Sequence, residues 1–180
     1  VKCSRILPVA IRNAGGRATM WRTGHSYIKA KLKESGAALA GEMSGHIFFQ
    51  DRWYGFDDAI YAGARLCELP AQHNASTETI FQSLPNTINT QELRLEMGEG
   101  EQHQLVRELT DSADFPGAKI TKIDGVRVDY EDGFGLARAS NTTPTVIFRF
   151  EADSPKALQR IQREFRTRIR VLRSDLPLPY

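Results

Sequence analysis

The pattern of apolar and polar positions changes character at a polar stretch, bounded by Pro70 and Pro85 and rich in Gln, Asn, Ser and Thr. Ahead of it, short apolar segments alternate with helix-like ones. Residues 5–14 read as a short helix broken by Gly15-Gly16. Ala18–Trp21 reads as a short strand. Thr23 precedes a helical stretch with Ile28 and Leu32 at i, i+4 and Gly36 as its C-cap. Ala37–Gly41 and Ile47–Phe49 read as buried strands. Asp57 stands as the N-cap of a helix with Ile60, Ala64 and Cys67 on one face, and Phe56 is placed to staple onto Tyr61. Val1-Lys2-Cys3 reads as the end of a buried strand, so a fragment cut into from upstream is expected. Strands alternating with helices predict a layered α/β arrangement, here a partial domain with a mixed sheet and helices.

Beyond Pro85 the signals are mostly of period two. Glu92–Met97 alternates as a half-buried strand does, and Gln102–Leu109 reads as a short helix. Ile120–Ile123 and Val126–Tyr130 flank Asp124-Gly125, a two-residue hairpin signal. Phe134–Ala139 and Thr145–Phe150 are further strands. Ser154-Pro155 then opens a long helix with proline at its first position, and Leu158, Ile161, Phe165, Ile169 and Leu172 form one apolar stripe. This half is a small α+β domain, a mostly antiparallel sheet covered on one face by helices. The expected organisation is residues 1–72, a linker at 73–85, and residues 86–180.

Composition narrows the function classes. At 180 residues the chain holds one large domain or two small ones, and 41% hydrophobic with 26% charged residues is an ordinary globular balance. A net charge of +2 does not mark a nucleic-acid or membrane binder. No apolar run reaches the roughly 18 residues that span a bilayer, and no signal peptide opens the chain. Only two cysteines occur, Cys3 and Cys67, which suits a reducing compartment. Asp124, Asp129 and Asp132 lack the spacing of a calcium loop, and the His and Cys residues lack zinc spacing. The cationic run on the last helix, Lys156 to Arg173, reads as a solvated face.

Three short constellations carry candidate chemistry. Gly41-Glu42-Met43-Ser44-Gly45-His46 packs a carboxylate, a hydroxyl and an imidazole between strands. A carboxylate accepts two hydrogen bonds and so suits neighbouring sugar hydroxyls; the alternative is a polar turn. Arg138-Ala139-Ser140-Asn141-Thr142-Thr143-Pro144 offers a guanidinium with hydroxyl, amide and backbone donors. That inventory fits a phosphate dianion; the alternative is a turn that bonds its own backbone. Thr23-Gly24-His25-Ser26 marks a helix start, favourable to anions or simply a cap.

These three segments, with Trp53-Tyr54-Gly55-Phe56-Asp57-Asp58, occur in an order and spacing that resemble the bacterial phosphomannomutase/phosphoglucomutases of the α-D-phosphohexomutase superfamily. The resemblance runs from Val1 to Tyr180. It implies four domains around a central cleft. Residues 1–72 would be the later part of the sugar-binding α/β third domain, and 86–180 the phosphate-binding fourth domain, TATA-binding-protein-like. It implies that Glu42 and Ser44 bind the hexose O3 and O4 hydroxyls, and that Arg138, Ser140, Asn141 and Thr142 hold the phosphate. Lys2, His25 and His46 would line the cleft, with His46 as a general acid/base helper.

The implied activity is that of an isomerase in carbohydrate metabolism. It exchanges a phosphoryl group between O1 and O6 of mannose and glucose, through a phosphoserine enzyme and a 1,6-bisphosphate that also acts as activator. The phosphoserine loop and the Asp-Gly-Asp loop for Mg2+ belong to a second domain and have no counterpart in this sequence, so the isolated chain is expected to be inactive without the N-terminal domains. A cytoplasmic monomer with a phosphosugar partner, and neither nucleic acid nor membrane, completes the expectation. Met43 matches the mannose/glucose group. A phosphoglucosamine mutase of the same superfamily, or a non-catalytic basic binding module, are the alternatives.

Overall fold

Glycines and capping side chains set several element ends in the computed structural model, which describes residues 1–180. Two units form: Lys2 with Ile6–Asn86, and Val1 with Cys3–Arg5 and Thr87–Tyr180.

The first unit contains α1 (Ile6–Asn13), α2 (His25–Ser35), β1 (Leu39–Gly41), β2 (Ile47–Phe49), α3 (Ala59–His73) and α4 (Thr77–Gln82). Gly36, at φ 65°, ends α2 in the left-handed conformation that glycine tolerates. The strands pair antiparallel, Leu39 opposite Phe49 and Gly41 opposite Ile47, so the sheet here is a two-stranded hairpin and not a mixed one. Phe48 is wholly buried, whereas Leu39 is exposed, against the expectation for β1. Ala18–Trp21 forms no strand. That segment instead stacks on α2, Lys31 over the Trp21 ring at 4.4 Å and neighbouring Arg22 over Tyr27 at 4.0 Å.

Helix α3 is capped by Asp58, not Asp57: Asp58 Oδ1 accepts from the Tyr61 N–H at 2.9 Å. The packed face carries Tyr61 and Arg65 against Phe49. Ile60, Ala64 and Cys67 are therefore exposed, Ile60 at 89%. Trp53, not Phe56, stacks on Tyr61 at 4.3 Å, and Phe56 stacks on Tyr54. Pro70 lies inside α3, and α4, capped by Ser76, occupies the middle of the expected linker 73–85. The Ser76 side chain accepts from Thr79 N–H, the start signal that the polar composition concealed.

The second unit contains β3 (Ile88–Asn89), β4 (Leu93–Glu96), α5 (Glu101–Asp111), β5 (Lys119–Thr121), β6 (Val126–Tyr130), β7 (Gly133–Ala139), β8 (Thr145–Ala152) and α6 (Pro155–Leu172). The strands make one antiparallel sheet in the order β3-β8-β7-β6-β5, with β4 also paired to β8. Alternate residues Val126, Val128, Ala137, Val146, Phe148 and Phe150 meet Leu105 and Leu109 of α5 and Ile161, Phe165 and Ile169 of α6 in one core. Gly135 lets α6 approach closely, because a Cβ there would lie 2.9 Å from Phe165 Cδ2.

The opposite face of the sheet carries Arg127, Asp129, Arg138, Arg149 and Glu151 in register with Phe134, Leu136 and Ile147. Val1–Cys3 is not a strand end. The Val1 and Cys3 carbonyls accept from Arg127 Nη1 at 2.6 and 2.7 Å, taking a side-chain donor in place of a backbone one. Arg127 is almost fully buried, clamped by Asp129 and stacked 3.7 Å from the Phe134 ring centroid. Thr121 opposite Arg127 is the last β5–β6 pair, so residues 122–125 form a longer connection than a two-residue turn.

Candidate functional site

In the first unit the sequence-derived residues gather around the β1–β2 turn. Glu42 N–H donates to the His46 carbonyl and Gly45 N–H to the Glu42 carbonyl, with Gly45 at φ 93°. This tight turn leaves Met43 and Ser44 exposed at its tip. Glu42 Oε1 accepts from Gly24 N–H at 3.2 Å, which ties the carboxylate to the start of α2. His25, the first residue of α2, brings its ring to 5.8 Å from that of His46. Lys2 is half-buried in the irregular segment before α1.

Asp57 enters this cluster, a residue that sequence reasoning spent on a helix cap. Its backbone bridges to Phe48 beside β2, and its Oδ2 stands 2.6 Å from His46 Nδ1. A carboxylate only accepts, so Nδ1 is the donor in this pair. The signal lay in Asp57-Asp58: one helix start uses one cap, leaving the other carboxylate for a different task.

In the second unit the β7–β8 connection holds Ser140–Pro144. Ser140 Oγ accepts from Thr142 N–H and Thr143 N–H, each at 3.3 Å, and pairs with Thr143 Oγ1 at 2.9 Å. Its oxygen thus shapes the loop from within. Asn141 and Thr142 remain exposed. Arg138, at the end of β7, is buried with Asp124: Nε to Oδ2 is 3.1 Å and Nη2 to Oδ1 3.4 Å, with the two side chains 7% and 12% exposed. That pairing uses one edge of the guanidinium fork and leaves the Nη1 end. Arg149, on β8 and the same sheet face, has a buried Nε without a hydrogen-bond partner. No group of three or more His, Cys, Asp or Glu in the chain is arranged to hold a metal ion.

Two family models match in sequence. Residues 1–88 match the phosphoglucomutase/phosphomannomutase alpha/beta/alpha domain III, and residues 92–168 the C-terminal domain of the same family. The chain belongs to the phosphoglucomutase/phosphomannomutase family. It is 51% identical over its full length to a Pseudomonas putida protein named phosphomannomutase/phosphoglucomutase, covering 39% of that protein. It is also 51% identical over 168 residues to a Neisseria gonorrhoeae phosphoglucomutase, a match covering 92% of the chain and 36% of that protein. An X-ray structure of a family protein from Burkholderia thailandensis superposes with a TM-score of 0.91 at 50% identity, over 99% of this chain and 38% of the other. The chain thus spans about two-fifths of the length of the relatives it matches.

Proposed function

We propose that this chain supplies sugar- and phosphate-binding parts of a phosphohexose mutase that interconverts the 1- and 6-phosphates of glucose and mannose. The observation that carries the reading is the buried Arg138 beside an exposed Asn141-Thr142 loop. A guanidinium held on one edge, with neutral amide and hydroxyl donors next to it, grips a dianion from several directions. Such a grip suits a bisphosphate intermediate that must be held in two orientations. The unpartnered Nε of Arg149 is a further buried donor that a phosphate oxygen would satisfy.

In the other unit, Glu42 Oε2 and Ser44 are the groups for the O3 and O4 hydroxyls. Glucose and mannose differ at C2, which these residues do not read, so both sugars are expected substrates. His46 Nε2 is the group to exchange a proton with the reacting hydroxyl, and Asp57 holds the ring for it. His25 and Lys2 complete the polar surroundings of the sugar. Magnesium would supply charge stabilisation during phosphoryl transfer. The side chains present here do not cluster to hold it, and no step above passes through it. The partners in this reading are the phosphosugar and the N-terminal domains of the same enzyme. No helix is long and apolar enough to cross a membrane, and a cytoplasmic monomer fits the reading.

The test is Arg138→Ala in the complete polypeptide, titrated calorimetrically with glucose 1-phosphate. Losing a buried charge-assisted contact is expected to weaken binding by about 2–5 kcal/mol. Unchanged affinity would refute the phosphate-loop assignment.

A further inference from the structure

We propose that Asp124 is a positioning residue for phosphate recognition, aiming the Arg138 guanidinium at its ligand; this rests on the phosphate reading of the Arg138 loop given above. Arginine has a long, flexible side chain, and its fork is useful only when one edge is fixed. Asp124 fixes the Nε/Nη2 edge with both carboxylate oxygens, which sends the Nη1 end the other way.

The backbone next to Asp124 is built to keep the carboxylate in place. Gly125 has φ 74°, and a Cβ there would run into the Ala137 carbonyl and come within 2.8 Å of Arg138 Cα. The β5–β6 connection therefore lies directly against the strand that carries Arg138. This close approach explains why the hairpin opens into a four-residue connection where Asp124-Gly125 suggested a two-residue turn. The connection brings the Asp124 carboxylate to the Arg138 guanidinium, and only glycine at the next position permits the contact.

A group that orients a binding donor acts on ground-state and transition-state binding alike when the phosphate it holds is not the one reacting. Its loss raises KM and leaves kcat nearly unchanged. The experiment measures KM and kcat for glucose 1-phosphate in the complete polypeptide, for Asp124→Asn, Asp124→Glu and Arg138→Ala, with thermal melts of each. Asp124→Asn is expected to raise KM about tenfold with kcat within about threefold, and Asp124→Glu to recover much of the loss. If Arg138→Ala raises KM but Asp124→Asn does not, the positioning role is wrong and the phosphate reading stands. If neither variant moves KM, the phosphate reading fails and takes the positioning role with it. If Asp124→Asn lowers kcat and melting temperature together and Asp124→Glu does no better, the pair is a structural strut and the proposal is overturned. Should Asp124→Asn not fold, Asp124→Glu alone decides: a KM rise of about threefold supports the role, and no rise overturns it.

Discussion

Substituting Gly125 by alanine separates two physical effects that usually come mixed. The residue has φ 74°, and Gly117 has φ 75°, so both lie in the same left-handed region. An alanine at either position carries about 1 kcal/mol of backbone strain. Their surroundings differ. A Cβ at Gly117 meets nothing within 4 Å, whereas one at Gly125 collides with the Ala137 carbonyl and lies 2.8 and 2.9 Å from Arg138 Cα and Cβ. These neighbours are strand backbone and cannot rotate away, so overpacking adds about 1–3 kcal/mol. Gly117→Ala is expected to lose about 1 kcal/mol and Gly125→Ala about 2–4 kcal/mol. Urea unfolding followed by far-UV circular dichroism reads the difference. Equal stability of the two variants, within about 0.5 kcal/mol, would show that the connection does not press on β7.

Two further substitutions test separate points. Tyr180 packs edge-on against Phe148 and Phe150, and its hydroxyl is buried without a partner. Burial raises its pKa above the ordinary tyrosine value, so the folded state holds the phenolic proton more tightly than the unfolded chain does. Stability is then complete below about pH 10 and falls as pH rises beyond it. Tyr180→Phe should add about 1 kcal/mol at neutral pH and flatten that alkaline decline, leaving the smaller share owed to Tyr130, whose pKa burial also raises. A destabilised Tyr180→Phe in urea titrations at pH 7 and pH 10.5 would contradict it. Glu42→Gln keeps an oxygen for the Gly24 N–H, so stability should change by less than about 0.5 kcal/mol while sugar-phosphate affinity in the complete polypeptide drops about tenfold. A large fall in melting temperature would mark Glu42 as a turn-former instead.

Much of the second unit was legible because its core follows period two in the strands and a three-four stripe in α6. Leu158, Ile161, Phe165 and Ile169 announced that helix before any contact was known. The first unit was harder. Ile60, Ala64 and Cys67 form a convincing apolar stripe, yet α3 turns Tyr61 and Arg65 inward, because an aromatic ring and a guanidinium over Phe49 outweigh simple hydropathy. Motif chemistry singled out Glu42, His46 and Arg138 as candidates by their neighbours in sequence. It was blind to the pairing of Asp57 with His46 and of Asp124 with Arg138, because each partner lies in another element, 11 and 14 positions away. Ser140 was counted among the ligand donors, and its Oγ also accepts from the Thr142 and Thr143 N–H groups of the loop that presents Asn141 and Thr142.

The grip of Arg127 on Val1 and Cys3 ties together positions 126 and 124 residues apart, and Ser4 reaches Glu151 across 147. The unit of residues 87–180 is therefore finished by the opening residues, with residues 6–86 as an excursion between its two pieces. Closing so long a ring loses about 2 kcal/mol more chain entropy than a ten-residue loop. These contacts should form late, after the last strand has been made. Whenever the excursion unravels, the tether slackens and the local concentration of the opening residues at Arg127 and Glu151 falls. Melting of one body then loosens the other through connectivity alone.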